Sequence, residues 1–120
     1  MSSAHPNSDA VATAVRELDL GVVPHRDVVR DAVRALLTAL ARRAPGRSVE
    51  VRVPPYGAVQ CVAGPRHTRG TPPNVVETDP LTWIRLATGR LSWAEARATG
   101  KVSASGIRTD ISDLFPLDLS

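Results

Sequence analysis

The chain has 120 residues, 42% of them hydrophobic and 22% charged. That suits one domain able to bury roughly 65% of its unfolded surface. Its single cysteine, Cys61, excludes an internal disulfide, and no apolar run reaches the about 18 residues that read as a membrane span. The net charge of +3 comes from fourteen arginines and one lysine set against twelve acids, and it is uneven: residues 26–69 hold nine Arg against Asp27, Asp31 and Glu50, while 70–120 run slightly acidic.

Residues 1–20 are expected to form a flexible N-terminal segment, with 1–7 disordered and Ser8 to Leu18 forming one short helix capped by Asp9 before the Gly21 break. The opening MSSAHPNSDA lacks the basic start and apolar run of a secretory signal, so a cytoplasmic protein is expected. A single domain is then expected over 21–120. From Asp27 to Arg43, Val28, Val29, Ala32, Val33, Leu36, Leu37 and Leu40 fill one side of a helical wheel, opposite Asp27, Arg30, Asp31, Arg34, Thr38 and Arg42. This pattern predicts a surface helix laid on a sheet, stopped at Ala44, Pro45 and Gly46.

Val49, Val51 and Val53 alternate with Glu50 and Arg52, and the turn residues Pro54, Pro55 and Gly57 precede a second run, Ala58 to Ala63; together they predict a hairpin. Gly64 to Asn74 is a loop by composition, and Val75 to Glu77 a third strand. Asp79 and Pro80 are an N-cap and first-turn pair, and Gly89 ends the helix they start. Leu81, Trp83, Ile84, Leu86 and Ala87 span more than half of this helix's circumference and leave Thr82 and Arg85 as a polar strip, so it should meet apolar groups on two sides, in a core or beside a cavity. Ser92 and Glu95 make a capping box for a short helix that Gly100 closes. Lys101 to Ser105 alternates as a strand, and Thr109 or Asp110 opens an acidic first turn that predicts a terminal helix to Pro116. Helices packed on four to five mainly antiparallel or mixed strands give an α+β two-layer domain.

The stretch TDPLTWIRLATGRLSWAEA, followed by Gly100, Lys101, Val102 and Gly106, resembles the C-terminal half of the sterol carrier protein fold. More narrowly, the chain resembles the small stand-alone bacterial proteins grouped with that family. The resemblance implies a non-enzymatic carrier of a fatty acyl chain, a sterol-like molecule or another lipid, held in a tunnel between sheet and helices. The expected apolar lining is Val59, Cys61, Trp83, Leu86, Leu91, Trp93, Val102, Leu114 and Phe115. The chain given ends with FPLDLS at Ser120, so the longer segment that often closes the tunnel in this family is expected to be missing or reduced.

Arg66, His67 and Arg69 lie on the polar loop and suit a carboxylate or phosphate head group. With Arg30 and Arg34 they make transient contact with an anionic membrane surface a further expectation. Nucleic acid is disfavoured, because Tyr56, Trp83, Trp93 and Phe115 do not interleave with the basic cluster. No His or Cys pair has metal spacing, and no cofactor motif is present, so no metal or cofactor is expected. Two alternatives come from other classes. A degenerate module with a filled core would act as a protein-interaction or dimerisation domain, which leaves room for a homodimer. An enzyme would rest on Cys61 near His67, against the ordinary role of a lone cysteine as a small buried hydrophobe.

Overall fold

Alternate valines decide which way the sheet faces. The computed structural model describes residues 6–64, 74–107 and 109–119, with side chains from Ser8 onward. Strand β1 (Val49–Val53) buries Val49, Val51 and Val53 and turns Glu50 and Arg52 away from the core, where Arg52 Nε donates to Glu50 Oε1 at 2.8 Å. Strand β2 (Gly57–Cys61) pairs antiparallel with β1 and sets Cys61 opposite Val49 and Val59 opposite Val51. On the other side of β1, strand β3 (Val75–Thr78) runs parallel, with Val76 opposite Val51. Strand β4 (Val102–Ser105) closes the order β2-β1-β3-β4, antiparallel to β3, with Ala104 opposite Val76 and Val102 opposite Thr78. Paired residues share a face, so one side of this four-stranded mixed sheet is apolar. The other carries Glu50, Arg52, Gln60, Glu77, Ser103 and Ser105.

Helices cover the apolar side. Helix α1 (Pro6–Asp19) packs on α2 (Arg26–Arg43), and α2 in turn lies against β2 and against α3 (Pro80–Ala87). Val29, Ala32, Val33, Leu36, Leu37, Ala39 and Leu40 are all buried on α2, a stripe wide enough to serve α1 on one flank and the sheet on the other. A last short helix, α4 (Trp93–Ala98), sits beside β4. This is an α+β two-layer domain, as the patterning predicts.

Three segments differ from the sequence expectations. Where a flexible segment with one short helix is expected over 1–20, the chain has a fourteen-residue helix that buries Val11 and Ala14 in the common core. Its small apolar face, Ala10, Val11, Ala14, Val15 and Leu18, is what docks it. The predicted terminal helix is a single 3₁₀ turn, Ser112–Leu114. Pro116 offers no N–H and forces the residue before it out of the helical region, and Phe115 is accordingly extended at φ −102° and ψ 147°. Finally, β2 stops at Cys61 instead of Ala63.

That early stop has a local cause. Val62 sits at φ 67°, a left-handed conformation that a β-branched residue rarely adopts. It is held there from the α2–β1 connection: its N–H donates to Ala44 O at 2.6 Å, and Ser48 donates to its carbonyl from N at 3.1 Å and from Oγ at 2.9 Å. Gly46, at φ 150°, crosses so close that a Cβ there would collide with the Val62 carbonyl.

Candidate apolar binding site

Helix α3 is built to be buried on most of its circumference. Asp79 caps it, accepting from Thr82 N at 2.9 Å and from Thr82 Oγ1 at 2.6 Å, and Pro80 fills the first turn. With its hydroxyl satisfied, Thr82 is buried, so the polar strip expected from Thr82 and Arg85 shrinks to a half-buried Arg85. Burial pushes the Asp79 carboxyl up, but the two hydrogen bonds from Thr82 and the nearby Lys101 outweigh it and hold the group below the usual carboxylate range.

Trp83 is the centre of the site. It is 1% exposed, and its indole N–H donates to Val33 O on α2 at 3.3 Å, which removes the cost of burying that donor. Phe115 meets it edge-on, with centroids 5.8 Å apart and planes at 79°, and lies against Trp93 at 6.3 Å and 25°. Phe115 belongs to a strap, residues 109–119, that crosses the α3–α4 corner. Thr109 and Ile111 are buried at its start, and Leu117 N donates to Ala87 O at 2.8 Å near its end. Pro116 packs within van der Waals reach of Gly89, where a Cβ would lie 3.3 Å from it.

The expected lining divides between two places. Phe115 touches both Trp83 and Trp93; Leu86 is buried on the same helix as Trp83, and Leu91 and Leu114 are half-buried against the core. Val59 and Cys61 lie on β2 under α2, and Val102 lies on β4, three strand spacings or about 14 Å across the sheet. All nine belong to, or pack against, the one hydrophobic core, spread along it from β2 to the strap. Arg66, His67 and Arg69 lie outside the described residues. Sequence reasoning missed Ile111, which anchors the strap; the apolar spacing of Ile111, Leu114 and Phe115 carried the signal but reads as helix.

Cys61 is fully buried, and that burial pushes its thiol up to about 11. It is a protonated, enclosed sulfur at neutral pH. Among the described residues no group of three or more His, Cys, Asp or Glu is placed to hold a metal ion. No helix among them is long and apolar enough to cross a membrane.

A two-layer α+β domain with one apolar sheet face, closed at one end by aromatic rings from α3, α4 and a short strap, is the class that fold and site define. The chain belongs to the family described as bacterial SCP ortholog, whose family model matches residues 25–117. That span runs from the N-cap of α2 into the strap and leaves α1 outside it. No curated protein matches the chain.

Proposed function

We propose that this protein binds and carries an apolar ligand, a fatty acyl chain or a lipid of similar shape, without catalysing a reaction on it. One observation carries the reading: Phe115 stands half-buried between Trp83 and Trp93 on a strap with only one turn of helix, an apolar position that a ligand chain could take over when the strap lifts. Membership of the SCP family supports it. A non-catalytic role is supported by Cys61, whose enclosed, protonated thiol is a poor nucleophile.

A second reading, a filled-core module that acts as an interaction or dimerisation domain, is favoured by the near-complete burial of Trp83 and Leu86. Native mass spectrometry of the purified protein and titration with a fluorescent fatty acid separate the two. A carrier gives a co-purified or added lipid at micromolar affinity or better, about 8 kcal/mol of binding free energy. Bare protein that ignores the probe, in the wild type and in Phe115→Ala alike, supports the module.

A further inference from the structure

Helix α2 is capped by a histidine. The usual caps are Ser, Thr, Asn and Asp, whose side-chain oxygens accept a backbone N–H across the whole neutral range. Here His25 Nδ1 accepts from Asp27 N at 3.1 Å, in the first turn of the longest helix. A ring nitrogen that accepts carries no proton, so the capping imidazole is neutral, with its hydrogen on Nε2. A second proton can go only to Nδ1, where it turns the acceptor into a donor and abolishes the cap. The cap sits at a packed part of the fold: Val29 N donates to His25 O at 3.0 Å to begin the helical ladder, Val29 is buried, and Pro24 is buried on the other side.

The imidazolium has a second partner already in place. Asp27 Oδ2 lies 3.9 Å from the same Nδ1. A donor at Nδ1 is repelled by the Asp27 N–H and by the positive end of the helix, and is drawn to the Asp27 carboxylate. That carboxylate is held only by Arg30 Nη1 at 3.4 Å, and Arg30 has a closer partner in Asp31, whose Oδ1 accepts from its Nε at 3.0 Å. Arg30 therefore keeps an ion pair when Asp27 is taken from it. The His25 side chain is 69% exposed, so water reaches the ring and nothing packed above it has to move for it to turn. Among the described residues the ring bonds to Asp27 alone. The other charged groups on the elements packed at this end are Arg26 on α2, Arg16, Glu17 and Asp19 at the close of α1, Arg85 on α3, and Arg90, which holds Asp19 at 2.9 Å; β2 carries no charge.

We infer that His25 is a proton-operated cap: on acidification from about pH 8 to about pH 5 its ring passes from the Asp27 amide to the Asp27 carboxylate, and the first turn of α2 loses its acceptor. The exchange loosens the start of α2 where it begins to pack on α1. It does not depend on what the protein binds.

The test is NMR on the full chain, following the His25 ring and the amides of Asp27 and Val29 across that range. The Asp27 amide is expected to move with the same midpoint as the ring. Protection of both amides, corrected for the intrinsic pH dependence of exchange, should fall about fivefold as the cap is lost. His25→Asn caps without titrating, so its Asp27 amide should hold still and keep its protection at both ends of the range. Asp27→Asn keeps the amide and removes the carboxylate, so the same change should need severalfold more acid. An Asp27 amide that ignores the ring, or that follows pH equally in His25→Asn, overturns the inference. So does an Asp27→Asn variant that responds to the same acid as the wild type, which would leave the carboxylate no part in the exchange.

Discussion

The two halves of the apolar layer are closed by different means. Over β1 and β2, one long regular helix supplies Val33, Leu36 and Leu40, each wholly buried, on a stripe that its heptad-like spacing dictates. Beyond α3, closure falls to half-buried Leu91, Trp93, Leu114 and Phe115 on short or irregular segments. The first arrangement maximises apolar burial and fixes one packing, because every ridge has a groove. The second leaves large rings anchored from one side, so its contacts are the cheaper ones to exchange. Stability should therefore reside in the first half, and binding in the second.

Leu36→Ala should break the regular half and cost about 2–5 kcal/mol, read as a fall in the midpoint of urea unfolding. Where the variant still folds, its affinity for the fluorescent fatty acid should change little. Phe115→Ala acts on the irregular half, and because the ring is only half-buried the cost should be smaller, about 1–3 kcal/mol. The same variant should bind the probe severalfold more tightly, since the strap no longer competes for the place between Trp83 and Trp93. Equal losses of stability with no gain in affinity would erase the distinction between the halves.

Asp79→Ala removes the cap that holds α3 between them and should cost about 1 kcal/mol in thermal or chemical unfolding. The acid response sharpens this. The Asp79 carboxyl titrates below its ordinary value when folded, so its contribution is present above the unfolded value of about 3.9 and is lost as pH falls through the lower folded value. Asp19, bonded to Arg90, and Asp110, bonded to Ser112, are shifted in the same direction. The melting temperature should therefore drop on acidification through that range, and Asp79→Asn, which can still cap, should flatten the drop. The smallest effect is expected at Cys61: native protein should resist a thiol reagent until it unfolds, and Cys61→Ala should leave probe binding unchanged.

Elements whose ends carry their own chemistry are legible in the sequence. Asp79 and Pro80 start α3 where expected, and Ser92 Oγ accepts from Glu95 N at 3.1 Å, the hydroxyl half of the predicted capping box. The valines of β1 give its inward face directly. What the sequence conceals is set by side-chain partners, near or far along the chain. Thr82 looks exposed until Asp79 satisfies its hydroxyl, and the spacing of Ile111, Leu114 and Phe115 reads as helix because one strand of text cannot show them wedged against α3 and α4. The candidate lining was legible as a composition, apolar and aromatic, but not as a place. Only the sheet order separates Val59 and Cys61 on one edge from Val102 on the other.

The crossing of Gly46 and Val62 has a consequence for exchange with solvent deuterium. The Val62 amide belongs to no helix and no strand, yet its 2.6 Å bond to Ala44 O joins the end of α2 to the end of β2, and the Ser48 bonds lie on top of it. To expose that amide, the helix terminus, the strand terminus and the turn between them must come apart together, so the opening is an event of the domain and not of a loop. Val62 should therefore exchange on the slow timescale of the buried β1 amides. The α1–α2 corner, ordered as it is, should exchange at the faster rate of a helix end.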